Sequence, residues 1–278
     1  MTGSSSAFTR MFESVYRFVF VRKFMYPLNK KLYKLALRGI GVMNYETPRI
    51  SGEAAFMKKI FARTGDKPTV VDVGANVGDY AAAVKEHYPQ AKLYAFEPHP
   101  LTFQKLASRA AQYGFVAVQQ ACSEENGTTK FYDYARNTGS QHASLYKDIF
   151  EQIYQDSVVE YDVSITSLDH FRATTPALDR INLLKIDTEG NEMRVLQGAE
   201  KTIRAGGIDV IYFEFNQMNV ISRTFFKDIY NLLKDYEFYR LFPDSLIPMG
   251  SYDPVFFEIF VLQNVVAIRK EVRQQYVY

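Results

Sequence analysis

The stretch VVDVGANVGDY, Val70 to Tyr80, constrains this chain more than any other segment. Thr69, Val70, Val71 and Val73 read as a buried strand that carries Asp72 and runs into a glycine turn. Gly74 and Gly78 bracket that turn, and a helix is predicted over residues 79–87. Glycine lets a backbone approach a ligand closely, because it has no Cβ and reaches φ > 0 without strain. A second strand, LYAFEPHP from Leu93 to Pro100, carries Glu97, 25 positions after Asp72. An acid near the roughly 20-residue offset is expected to take ribose hydroxyls in a βαβ nucleotide site. The pattern predicts binding of a nucleoside-containing small molecule.

Charge narrows the choice of nucleoside. A dinucleotide site uses G-x-G-x-x-G, which frees a helix N-terminus to hold a pyrophosphate. Here Asn76 replaces the middle glycine and the acid Asp72 sits beside the turn, which argues against an NAD-type oxidoreductase. No Lys-Ser or Lys-Thr pair follows the glycines, so a P-loop is excluded. S-adenosyl-L-methionine fits: it offers a ribose to Glu97, an ammonium to the Asp72 side, and no phosphate.

Several further segments resemble the FkbM family of S-adenosylmethionine-dependent methyltransferases. They are DVGANVGDY, FEP at Phe96–Pro98, Ala121–Cys122–Ser123 before an Asn-Gly turn, TSLDHF at Thr166–Phe171, LLKIDTEGNEMRVLQGA at Leu183–Ala199, and YFEF at Tyr212–Phe215. FEIFVLQNVVAI, Phe257–Ile268, is a weaker match. The most discriminating piece is K-I-D-x-E-G-x-E, Lys185 to Glu192. The resemblance implies an α/β, Rossmann-like class I methyltransferase fold: a mostly parallel sheet with an antiparallel C-terminal strand, preceded by an N-terminal helical extension. It also implies methyl transfer to a hydroxyl of a small molecule, sugar or glycan. A cofactor-binding partner subunit without catalysis is the alternative, since fold alone does not settle function.

Composition agrees with a globular enzyme: 47% hydrophobic and 23% charged residues over 278 positions suit one α/β domain with an appendage. A single cysteine, Cys122, cannot form an internal disulfide, which points to a cytoplasmic, reducing compartment. No apolar run approaches the length of a membrane span. Arg17, Arg22 and Lys23 interrupt the first segment, so a cleaved signal peptide is not expected.

Charge is unevenly spread. Residues 1–50 hold nine Lys or Arg against Glu13 and Glu46, a net +7, which leaves −5 on the remainder. Apolar residues from Phe12 to Leu37 interleave with the cations as in an amphipathic helix, or a pair broken near Pro27. One reading is weak contact with a membrane surface. The other, which this pattern favours, is a helical cap whose apolar face docks on the domain while Lys and Arg stems stay solvated.

Residues 1–66 are therefore predicted as a basic helical extension and residues 67–278 as the methyltransferase domain. Glu53 to Arg63 reads as the extension's last helix. Strands at 69–73, 92–96, 115–119, 181–186 and 208–214 alternate with helices, as expected of parallel strands joined by crossovers. Residues 124–170 break this rhythm and read as an insertion beside the cofactor mouth, where loops carry function. A closing pair of strands is predicted at 238–241 and 256–268, with Asp253-Pro254 in the turn region.

The cofactor-binding candidates are Asp72, Gly74, Asn76, Gly78, Glu97, Ser123 and Asp187. Ser123 lies past the third strand, where an adenine edge is expected. Asp187 ends the fourth strand, and ligands bind at strand carboxyl ends in such sheets. Methyl transfer to an alcohol needs an aligned oxygen and a base for its proton. Of the four histidines, His142 in the polar loop NTGSQHASL is the candidate base, with Asp187 as the alternative. A metal is not expected, because two clearly placed carboxylates fall short of the six or more oxygens a hard cation takes. Glu214, in YFEF, reads as a perturbed carboxylate, with Arg223 as a conceivable charge partner. No nucleic-acid partner is expected, since the cations cluster outside the domain.

Overall fold

A computed structural model describes residues 7–44, 47–65, 67–134, 143–154 and 157–276. Its strands are β1 (Thr69–Val73), β2 (Lys92–Phe96), β3 (Val116–Val118), β4 (Ala121–Cys122), β5 (Gly127–Tyr134), β6 (Val158–Thr166), β7 (Ile181–Ile186), β8 (Ile208–Phe215), β9 (Tyr236–Leu241), β10 (Leu246–Pro248) and β11 (Gln263–Arg269). Eight of them form one sheet in the order β10-β9-β11-β8-β7-β1-β2-β3. β3, β2, β1, β7 and β8 run parallel, whereas β11 lies antiparallel to both β8 and β9. The expected class I sheet is present, with its antiparallel closing strands.

The central strands are apolar on both faces because helices cover both faces of a parallel sheet. Alternation then sorts the side chains. Val71, Val73, Leu184, Ile186, Ile211 and Phe213 pack into one core with Val195, Leu196, Phe226 and Ile229. Val70, Leu183, Val210 and Tyr212 pack on the other side with Ala81, Val84, Leu106 and Ala110. Phe56, Ile60 and Phe61 join this second core. Helix Glu53–Phe61, expected within the extension, thus builds the domain itself.

The chain leaves β1 toward β2 and β3, then crosses back to place β7 and β8 on β1's other side. The crevice at such a switch point, outside the strand carboxyl ends, is where open α/β sheets bind ligands. The irregular stretch after β3 forms a second, three-stranded sheet in the order β4-β6-β5. Asp253 does not sit in a hairpin turn. Its carboxylate accepts the Val255 N–H (2.9 Å) and starts a short helix, Pro254–Phe257.

Helices Ala7–Phe20 and Tyr26–Gly39 are joined by a 3-10 turn at Lys23–Met25. Pro27 stands in the first turn of the second helix, where its missing N–H costs nothing. The expected docked cap is not what forms. Only the far end attaches: Leu37 and Val42 pack on Ile259, and the Met43 N–H donates to the Leu262 carbonyl (2.9 Å). The described side chains of residues 7–19 are all exposed.

Candidate functional site

A cavity of about 650 Å³ opens at the carboxyl ends of β1, β2, β7 and β8. The loop after β1 forms one wall through Gly74, Ala75, Asn76 and Val77. Its shape has two causes. Gly74 lies at φ +81°, and a Cβ there would fall 1.8 Å from the Asp187 carbonyl oxygen, so only glycine lets β1 and β7 end side by side. Asn76 is also left-handed, at φ 49°, a conformation asparagine tolerates better than most residues. Gly78, by contrast, is absent from the cavity wall. A Cβ at Gly78 would meet Leu106, so it serves helix packing.

Glu97 fastens this loop to the end of β2. One carboxylate oxygen accepts the Asn76 N–H (3.0 Å) and the other accepts the His99 N–H (2.8 Å). Burial pushes the Glu97 pKa up to about 7, against those two backbone bonds, which favour the charge. Glu97 lines the cavity with Gln120, Ala121 and Cys122. His99 is structural: its Nδ1 accepts the N–H groups of Leu101 (3.2 Å) and Thr102 (3.3 Å), capping helix Pro100–Tyr113. Its Nε2 lies 3.4 Å from Asp133 Oδ2 on β5 and so ties the second sheet to the first.

Asp72 does not reach the cavity wall. It is fully buried, and its charge partner among the described residues is Lys185, with Nζ 3.6 Å from Oδ1. Lys185 stands between Asp72 and Asp187, whose Oδ2 accepts from Nζ at 3.1 Å. Burial alone would lower the Lys185 pKa, but Asp187, Asp72 and Glu53 together hold it above its ordinary value. Lys185 is a fixed cation, not a base. Lys185 and Asp187 both face the cavity.

Two further acids of the cavity wall have raised pKa values. Glu53 arrives from helix Glu53–Phe61, and burial raises its pKa while Lys185 opposes the shift. Glu214, at the end of β8, is held well above the usual carboxylate range by burial and by Asp187 and Glu189. Its environment is acidic, so the expected pairing with Arg223 does not explain it. Glu53 lay outside the candidate set, since its side chain meets the site only through the tertiary fold.

Glu192, the last acid of the Lys185–Glu192 motif, shapes the loop after β7. It is buried, and its Oε1 accepts the Thr188 N–H (3.1 Å), the Thr188 hydroxyl (3.0 Å) and the Gly190 N–H (3.1 Å). Beside it, Asn191 lines the cavity and donates through Nδ2 to the Cys122 carbonyl (2.9 Å). The Asn191 Oδ1 is buried with no hydrogen-bond partner among the described residues.

Ser123, expected near an adenine edge, is not among the residues lining the cavity. Its hydroxyl donates to Glu124 (2.6 Å) and its carbonyl lies against Gly198, while Gln120–Cys122 form the cavity wall instead. His142 lies outside the described residues. Its neighbours Ala143 and Leu145 line the cavity, and the Ser144 hydroxyl donates to the Glu189 carbonyl (2.9 Å). Residues of this segment therefore border the cavity.

The wall suits a nucleoside without phosphates. Among the described lining residues the cations are Lys58 and Lys185; Asp79, Asp187 and Glu189 supply negative charge, and Glu53, Glu97 and Glu214 add carboxyls whose ionisation burial opposes. The orphaned Asn191 Oδ1 offers an acceptor to a donor such as an adenine amino group. Groupings of three or more residues able to hold a metal are absent among the described residues.

Comparison with known proteins agrees. The Methyltransferase FkbM domain matches residues 72–239. "Methyltransferase sdnD" of Sordaria araneosa is 32% identical over 183 residues, covering 54% of this chain and 70% of that protein. "31-O-demethyl-FK506 methyltransferase FkbM" of Streptomyces tacrolimicus is 29% identical, covering 54% and 70%. "2-O-methyltransferase NoeI" of Sinorhizobium fredii is 23% identical, covering 63% and 75%. On the match over residues 72–239, this chain belongs to the FkbM family of S-adenosylmethionine-dependent methyltransferases.

Proposed function

We propose that the chain is an O-methyltransferase acting on a hydroxyl of an uncharged or cationic small molecule or glycan. The observation that carries this is the carboxyl-rich cavity, where Asp187 and Glu189 stand with Lys185 and burial favours the neutral form of Glu214 and Glu53. Carboxylates hydrogen-bond hydroxyl groups well and repel anionic acceptors. The relatives named for 31-O and 2-O methylation support oxygen as the accepting atom.

When bound, S-adenosyl-L-methionine supplies a methyl group on a positively charged sulfur. Glu97 would accept its ribose hydroxyls, and the Gly74–Asn76 backbone would lie along the cofactor. The Lys185 ammonium and the neighbouring carboxylates match the opposite charges of its amino-acid end. Asp72 contributes from beneath, by holding Lys185 in place. Asp187 is the carboxylate that orients the acceptor hydroxyl and takes its proton, with His142 as the alternative base. Glu214, kept neutral by its surroundings, can still donate a hydrogen bond to the acceptor.

The test is methyl transfer from labelled S-adenosyl-L-methionine to a panel of neutral glycosides, polyols and phenols, with their carboxylated counterparts in parallel. A product one methyl heavier, with the label on oxygen, is expected from the neutral members. Label found only on nitrogen or carbon, or a preference for the carboxylated set, would overturn the reading.

A further inference from the structure

The charge asymmetry and the undocked N-terminal helices belong together. Helix Ala7–Phe20 turns Met11, Phe12, Val15, Tyr16, Phe18 and Val19 to one broad side, with Arg10 and Arg17 opposite. That side is uncovered: Phe12 is 63% exposed and Phe18 73%. In helix Tyr26–Gly39, Leu28, Leu32 and Leu35 recur along one side, with Lys30, Lys31, Lys34 and Arg38 along the other. These three leucines are exposed too, and so is Phe24 in the turn between the helices, at 77%. The helices are joined to each other by Asn29, whose side-chain amide donates to the Phe20 carbonyl (2.9 Å). They meet the domain chiefly around Leu37 to Met43.

We propose that residues 7–39 are an interfacial anchor that holds the enzyme on an anionic lipid surface. Among the described residues no helix is long and apolar enough to cross a membrane, so the anchor lies in the interface instead of spanning it. A basic amphipathic pair suits that position: the apolar sides enter the acyl boundary and the Lys and Arg heads stay at headgroup level. Charge selects this occupant over two others. A second copy docked through the same face would set a net +7 against a net +7, since residues 7–39 hold eight cations against Glu13. A nucleic acid would neutralise the cations and leave the phenylalanines wet. The rest of the chain carries −5, so an anionic surface would attract the helices and repel the domain, which sets one orientation.

Flotation of the full-length protein with phosphatidylcholine vesicles, with and without phosphatidylserine, tests this. Binding is expected only with the anionic lipid and should weaken as salt rises, because screening shortens the reach of the charges. Each basic residue near such a surface contributes roughly fivefold, so Lys30→Ser, Lys31→Ser, Lys34→Ser together should cost at least about tenfold. Phe12→Glu with Val15→Glu should abolish flotation. Both variants alter exposed side chains, so S-adenosylhomocysteine binding should stay unchanged and verify the fold. No flotation, flotation insensitive to either variant, or a concentration-dependent dimer that Phe12→Glu with Val15→Glu disperses would each overturn the proposal.

Discussion

Glu97 Oε2 accepts the backbone N–H of Asn76 at 3.0 Å, which locks the acid ending one strand to the loop that follows its neighbour. The residue proposed to read the ribose therefore also sets the shape of the loop beside it. Glu97→Ala should weaken S-adenosylhomocysteine binding by roughly 1–3 kcal/mol and loosen the loop as well. Titration calorimetry measures the first effect and amide exchange at Asn76 the second. Unchanged affinity would remove Glu97 from the site.

The same carboxyl makes cofactor affinity depend on pH. Ribose hydroxyls donate to an ionised acceptor, and the free Glu97 titrates at about 7. Below that pH the free site is protonated, so affinity should fall by up to about tenfold per unit as pH drops and level off above it. Glu97→Gln should flatten the profile. A flat profile in the wild-type protein would contradict the assignment.

Saturating S-adenosylhomocysteine should raise the melting temperature. At about 100 times its dissociation constant the ligand adds about 2.7 kcal/mol to native stability. Gly74→Ala should remove much of this by another route, since its Cβ collides with the Asp187 carbonyl at a left-handed φ. A loss of at least about 2 kcal/mol is expected in chemical denaturation.

Glu192→Ala leaves the Thr188 and Gly190 donors without their acceptor. The variant should be destabilised by about 3 kcal/mol and lose methyl transfer together with loop order. Glu192→Gln keeps an acceptor oxygen and should retain most stability. Equal loss in both variants would show that charge, not loop capping, is what the site needs.

Glu214 offers a stability test with a definite sign. Its folded pKa lies above the unfolded value, so ionising it costs more in the folded protein. Its contribution is most favourable below the unfolded pKa, 4.5, and is lost as pH rises toward and through the raised folded value. Glu214→Gln should therefore reduce the fall in stability between weakly acidic and alkaline pH. Denaturation midpoints across that range decide it. A steeper fall in the variant would mean that Glu214 has a stabilising cation partner.

Local pattern made the frame of this enzyme legible. Short apolar runs at 69–73, 92–96 and 181–186 read as buried strands, and the observed β1, β2 and β7 span those residues. The Gly74–Gly78 turn, the strand-end acid Glu97 and the motif from Lys185 to Glu192 carried the family and its cofactor, because their chemistry depends on spacing within one βα unit. Tertiary structure decided which of those groups face the ligand. Asp72 and Asp187 both end or nearly end strands, yet Lys185 wedges between them and only Asp187 reaches the cavity. Glu53 enters the site from outside the matched segment, and Ser123, whose carbonyl packs on Gly198, stays off the cavity wall. The N-terminal helices show the same division. Periodicity of 3.6 reveals an apolar face but not what covers it, since covering is a contact between segments far apart in the chain. The sequence by itself determined that Phe12, Val15 and Val19 share a side; only the packed structure determined that the domain leaves that side open.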